Sequence, residues 1–359
     1  MERKLPDDSD LTVFKDRPYD FIPSSKKVPA PGKEYFRLSG EPVLLDVIEA
    51  SYKPMQLDGL PRPGMVLQEP KKSGEVDRCR RLDPLVGGIS IGSPQVPVGT
   101  LGALVWDNTD GSVCILSNWH VLAGDFKAEV GTPCFQPGVF DQGRSTDVVA
   151  RLKRWSFNRQ TDAAIAELTG SRHYSTGEIL SMFQTIKASA KPYLGMTVRK
   201  SGRSTGFTWG FIDGLYFSAA IEYGGGVVRV FEEQIHIAPL EKGKRISEPG
   251  DSGSVWVTND PYEEGYLAVG LHFAGDLPHS AFGEYALANP MRIVEERLNF
   301  SFRPLFLEIR DEDVLSRLTV QSQQNGTGAE PVGLIRGGTL TGPGGQPDPA
   351  VVGETQPRG

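Results

Sequence analysis

Between Leu85 and Arg297 the sequence breaks into short apolar runs, GTLGALVWD, SVCILSN, VVARLKRW, DAAIAEL, MTVRKSG, FTWGFIDGLY, VVRVF, EQIHIAPL, SGSVWVTND and YLAVGLHFAG, separated by Gly, Pro, Asn and Asp. Runs of this length, rich in β-branched and aromatic residues and closely spaced, read as strands joined by tight turns. Many such strands in succession indicate an antiparallel sandwich or barrel, so the fold class expected is all-β. Two segments are expected to be helical instead, TGEILSMFQTIKASA near the middle and NPMRIVEERLNF at the end. KSGRSTG reads as a hairpin turn and not a phosphate loop, because it lacks the Gly-Lys-Ser/Thr ending and strands flank it on both sides.

The remainder organises around this block. Residues 1–84 are rich in Pro, Lys and Asp with one strand-like run, PVLLDVIEASY, and are expected to lay a strand or two against the main body. Residues 301–323 form a short appendage, and 324–359 are too rich in Gly and Pro to bury a core, which predicts a disordered tail. With 359 residues and 38% hydrophobic content the chain can build a real core. A net charge of −7 without a dense Lys/Arg block argues against nucleic acid as a partner. The longest apolar runs are strand-sized, which argues against a membrane span, and the first thirty residues lack the apolar core of a secretory signal. A cytoplasmic location is expected. Cys79, Cys114 and Cys134 are odd in number and sparse, giving neither a disulfide framework nor a zinc spacing, so reduced thiols are the default. His173, His236 and His279 lie apart with no ligand-like spacing, so neither a metal nor a cofactor is expected.

The chemistry concentrates at SEPGDSGSVW, where Ser252 stands between an aspartate and a glycine with an apolar run behind it. A serine hydroxyl is a weak nucleophile and needs a base, a group that orients the base, and donors for a developing oxyanion. His120 in CILSNWHVLAG follows a β-run and precedes a small-residue turn, the position from which a strand end delivers a side chain to a cleft. Asp162 opens DAAIAEL, at the mouth of a buried strand, where a carboxylate can fix the tautomer of an imidazole. Each has a plainer reading as well: a histidine packed at a strand end, and a turn-capping aspartate.

SNWHVLAG, DAAIAEL and EPGDSGSVW, in that order and at these separations, resemble the three catalytic blocks of the chymotrypsin/trypsin-like serine peptidases. LVGGISIG, GTLGALVWD and VRKSGRSTGFTWG look closest to the trypsin-like proteins typified by the plant narrow-leaf protein and its bacterial relatives. The resemblance implies a domain over residues 85–300 built of two six-stranded antiparallel β-barrels, dividing near 175–195, with a C-terminal helix and the site between the barrels. It implies Ser252 as nucleophile, His120 as proton shuttle, Asp162 as its orienting acid, and the N–H groups of Gly250 and Ser252 as the oxyanion hole. Trp119 departs from the smaller or polar residue expected beside the histidine. Ile246, six before the nucleophile, would lie at the base of the pocket for the residue preceding the scissile bond (P1), and disfavours selection of Lys or Arg. His272, with the Ser247 hydroxyl beside it, falls where a Gly-x-His-x-x-Gly pattern faces P1 in related peptidases, which implies a preference for Gln or Glu. The alternative is a histidine packed in the second barrel. Phe273, Ala274 and Gly275 continue that strand and would bind substrate.

Other leads are weaker. LVGG at Leu85 resembles the new N-terminus of a cut zymogen, with Asp251 as partner of the freed amine, but Pro84 precedes the cut. GDSG followed by DLPH mimics an esterase pair at the wrong separation, and Ser254 breaks the G-x-S-x-G elbow. Two functions remain: a serine endopeptidase acting on a protein or peptide bound as an added strand, or a protease-fold scaffold or peptide-binding protein that cleaves little. A homo-oligomer is compatible with both.

Overall fold

The structure, a computed structural model, describes residues 76–124, 128–223, 228–241, 243–276 and 285–304, together with the backbone of three strands nearer the N-terminus. These are β1 (Lys33–Leu38), β2 (Glu41–Asp46) and β3 (Tyr52–Pro54); β1 and β2 form an antiparallel hairpin. Chain contacts divide the molecule into Met1–Leu305 and Phe306–Gly359. The second unit, with most of the expected appendage and the expected tail, lies outside the described residues, as do His279 and the DLPH stretch.

After β4 (Leu85–Gly87), the first barrel is made of β5 (Ile89–Ile91), β6 (Gly99–Leu101), β7 (Ala103–Asp107), β8 (Val113–Ser117), β9 (Pro133–Phe135), β10 (Val148–Phe157) and β11 (Asp162–Leu168). The one-turn helix α1 (Trp119–Leu122) follows β8. β6 and β7 act as one strand bent at Gly102, whose N–H still reaches the Leu116 carbonyl. The ladder then runs β7-β8-β11-β10-β9, and the Gly92↔Phe135 bridge joins the end of β5 back to β9. That path is a closed barrel of six antiparallel strands.

β12 (Tyr174–Ile179) and β13 (Ile186–Ser189) connect to the second barrel, made of β14 (Thr197–Gly202), β15 (Gly206–Glu222), β16 (Val228–Pro239), β17 (Val255–Asn259), β18 (Tyr266–Asp276) and β19 (Ala286–Pro290). The order β18-β17-β14-β15-β16-β19 closes on itself because β19 also pairs with β18. Helix α2 (Met291–Leu298) and β20 (Phe300–Ser301) follow, with β20 pairing β7 of the first barrel. Two closed six-stranded antiparallel barrels followed by a short helix are the chymotrypsin-like fold.

The apolar runs lack polar alternation because their two faces both meet a core. In β11, Ala164 and Ala166 face the interior of the first barrel while Ala163 and Ile165 join a cluster between the barrels. In β17, Trp256 fills the second barrel while Val255 and Val257 join the same shared cluster. Met291, Val294 and Leu298 of α2, at helical spacing, complete it. Asn299 ends that helix in the left-handed region, its N–H bonded to the Glu295 carbonyl.

The helix expected at TGEILSMFQTIKASA is absent. Gly177 and Ser181 have positive φ, which interrupts any helix, and the segment splits into β12, parallel to β4, and β13, parallel to β18. Ile179 and Ile186 are buried from these two strands, whereas Phe183 is 98% exposed. The KSGRSTG turn is the β14–β15 hairpin, closing at Gly202↔Gly206.

Candidate active site

His120 is carried on α1, and Asn118, capping that helix, donates through Nδ2 to the Asp162 carbonyl at 2.6 Å. This ties the end of β8 to the start of β11. The Asp162 carboxylate then meets both the backbone and the ring of His120: the His120 N–H at 3.1 Å and Nδ1 at 2.5 Å. Tyr223 donates its hydroxyl to the same carboxylate at 2.5 Å. Burial, and next to it the Asp162 charge, push the Tyr223 phenol well above its usual range, so it remains a donor. Three donors converge on one carboxylate. A neutral ring with its proton on Nδ1 faces that carboxylate as a donor and keeps the lone pair on Nε2.

Nε2 of His120 is buried and has no hydrogen-bond partner among the described residues. Ser252 is also buried, and its hydroxyl donates to the Phe273 carbonyl at 3.1 Å. The bond from Ser252 Oγ to His120 Nε2 is thus not made. The two groups nevertheless share one neighbourhood. Ser252 accepts from the Thr100 N–H at 2.7 Å, and a Cβ added at Gly99 would touch both Val121 on α1 and the Ser252 carbonyl. The Phe273 carbonyl is available because the β18–β19 register shifts between His272 and Ala274, a bulge that takes Phe273 out of the ladder.

The loop before Ser252 is held from below by Asp251, which is fully buried. It accepts from the backbone N–H groups of Ser204, Thr205 and Glu248, from the Thr205 hydroxyl at 2.7 Å and from Lys200 Nζ at 3.0 Å. Burial alone would raise its pKa, but Lys200 and Thr205 hold it below the usual carboxylate range. Lys200 is the charge that a freed amine would supply in the zymogen reading of LVGG. Leu85 itself is buried in the first barrel, with its N–H bonded to the His173 carbonyl. Gly250 and Gly253 flank the serine with φ of +103° and +95°. A Cβ at Gly253 would lie 2.1 Å from Ser117 Oγ, so the turn accepts only glycine there. Among the described residues neither the Gly250 nor the Ser252 N–H has an acceptor, leaving two donors for a developing oxyanion.

Of the residues expected to bind P1, Ile246 is buried in the core of the second barrel with Met196, Val198 and Trp256. His272 is fully buried on β18, with Nε2 2.6 Å from Ser247 Oγ and its ring edge-on to Trp256. Burial, with Lys200 adding to it, lowers its pKa to about 3. Folded His272 therefore stays neutral while the unfolded residue, at about 6.5, takes up a proton as pH falls. Stability is lost between those values, by about 2 kcal/mol from pH 7 to pH 5. Urea unfolding at the two pH values should show that loss, reduced by a similar amount in His272→Gln.

Several partners had no local signal in the sequence. Tyr223 is one; Asn289 is another, accepting the Asp162 N–H at 2.9 Å and donating to Gln234 at 2.6 Å, so the second barrel fixes the acid of the first. Trp119 stacks on Phe157 with ring centroids 4.0 Å apart, which explains a large residue beside the histidine. The buried thiols of Cys114 and Cys134 are raised to about 11 and about 12 by burial, unsuited to nucleophilic roles. His173 and His236 bond to Asp83 and Asp213 respectively, and no group of three His, Cys, Asp or Glu side chains able to hold a metal occurs among the described residues.

No family model and no curated protein matches the chain. Solved structures of chymotrypsin-like bacterial serine proteases match over about 60% of it. Thermobifida fusca protease A is 16% identical over 60% of this chain and 96% of its own, with a TM-score of 0.43. Nocardiopsis protease is 17% identical over 60% and 97%, also at 0.43. A glutamic-acid-specific serine protease that uses a histidine triad in substrate binding is 18% identical over 60% and 99%, at 0.44. Values this low transfer no residue's role, and the assignments that follow rest on the geometry above.

Proposed function

We propose that the chain is a serine endopeptidase. Ser252 attacks the scissile carbonyl, His120 Nε2 takes its proton and later gives it to the leaving amine, and Asp162 holds the imidazole and stabilises its charged form. The Gly250 and Ser252 N–H groups receive the oxyanion. The observation that carries this reading is the carboxylate with three donors, which leaves one imidazole nitrogen as an unpartnered base in the neighbourhood of the Ser252 loop. A rotation of the serine hydroxyl away from Phe273 is required before reaction. The neutral His272 and the Ser247 hydroxyl together offer donor and acceptor atoms, which suits a Gln or Glu side chain at P1.

The hydroxyl turned toward Phe273 also favours a second reading, a protease-fold protein that binds peptides and cleaves little. A fluorophosphonate probe separates the two. The peptidase should be labelled, and Ser252→Ala should lose the label while keeping its circular dichroism. Labelling that survives in Ser252→Ala sinks the assignment. A peptide-library profile dominated by Lys, Arg or Phe at P1 would overturn the Gln/Glu preference.

A further inference from the structure

The β18 edge that faces Ser252 carries a continuous series of partners. Val255 pairs with Leu271; the Gly253 N–H then bonds the His272 carbonyl, and the His272 N–H bonds the Ser254 carbonyl. Ser252 Oγ next donates to the Phe273 carbonyl. One residue further along, β3 takes over, with Pro54 opposite Ala274, Lys53 opposite Gly275 and Tyr52 opposite Asp276, in antiparallel register. β3 also lies beside β15. The far side of β18 is already taken by β13 and β19.

We propose that the chain's own Tyr52–Pro54 is the resident occupant of the edge Ala274–Asp276, where the substrate strand expected along Phe273–Gly275 would add, and that it holds the enzyme shut until it leaves. The inference rests on the peptidase reading and names how that site is regulated. A strand edge offers one row of backbone donors and acceptors, so two extended segments cannot use it together. The direction matters as much as the pairing. From Tyr52 to Pro54 the chain advances along β18 toward Phe273 and Ser252, the polarity that a peptide needs if the bond after its docked residues is to meet the nucleophile. Burial of both Ser252 and His120 agrees with a closed cleft. A proline at the inner position suits an edge strand, since it has no N–H to offer.

The test uses the full chain with Tyr52→Pro and Lys53→Pro together, which removes two further backbone donors. Two readouts are followed: amide exchange over residues 270–276 and the rate of fluorophosphonate labelling. Release of the strand should speed exchange of the amides within Ala274–Asp276 that face β3 by about tenfold or more, and labelling by a similar factor. A free peptide ASYKPMQ, residues 50–56, added in excess should slow labelling of the variant again, which also shows that its cleft is folded. Unchanged exchange overturns the docking. Faster exchange with unchanged labelling overturns the blocking role. Absence of labelling in both proteins, with exchange freed, overturns the peptidase reading itself and leaves the strand docking intact.

Discussion

Lys200→Met is expected to destabilise the protein by about 3–5 kcal/mol, the range for removing one partner of a buried ion pair. Lys200 and Asp251 are both fully excluded from solvent, and the ammonium sits 3.0 Å from the carboxylate and 2.9 Å from the Thr205 hydroxyl. Without it, the remaining donors are the Thr205 hydroxyl and the backbone N–H groups of Ser204, Thr205 and Glu248. These hydrogen-bond the carboxylate but carry no full charge. The turn through Gly250 and Ser252 hangs on that carboxylate, so labelling at Ser252 should fall with stability. The sign of a second change separates pairing from packing. Lys200→Met with Asp251→Asn removes both charges and leaves the amide oxygen for the Ser204 and Thr205 N–H groups, with the NH₂ set against the Glu248 N–H, and should recover part of the lost stability. If denaturant titration finds the double variant no better than Lys200→Met, charge burial is not what makes this position costly.

The candidate triad was legible because each member sits in a short string whose neighbours share its purpose. The glycines around Ser252 are required by the turn, and the small apolar residues after Asp162 form a strand buried on both faces. Lys200 and Tyr223 were not legible. Their partners lie 51 and 61 residues away, and a lysine in KSG or a tyrosine at the end of a long strand has no local mark of its destination. The barrels followed from the strand runs, yet their closure depends on single events, such as the Gly92↔Phe135 bridge and the β18–β19 pairing, that no periodicity encodes. The misread helix has a specific cause. Ile179, Met182, Phe183 and Ile186 fall at helical spacing, but tertiary pairing with β4 and β18 sends Ile179 and Ile186 into the core from separate strands. The pull of two open strand edges outweighed a local pattern with a glycine and a turn inside it.

Asp162→Asn is expected to lower kcat by about 10⁴ with little loss of stability, the effect of trapping the base in the wrong tautomer. The amide keeps one oxygen, which in the Oδ1 place still accepts from the His120 N–H, while the Tyr223 hydroxyl, bonded at the other position, must turn to accept. Its NH₂ then faces Nδ1, which must accept, so the ring proton moves to Nε2 and no base faces the serine. Tyr223 supplies the discriminating arm. It touches the carboxylate and not the reacting atoms, so it is a positioning residue, and Tyr223→Phe should cost far less, about tenfold. Losing that donor leaves more of the Asp162 charge for the imidazolium, so the acid limb of the kcat/KM profile should move to higher pH. A purely structural tyrosine would lower activity without moving that limb. An Asp162→Asn variant that retains more than about a tenth of wild-type kcat would mean that the carboxylate does not set the tautomer, and that the proton leaves Ser252 by another route.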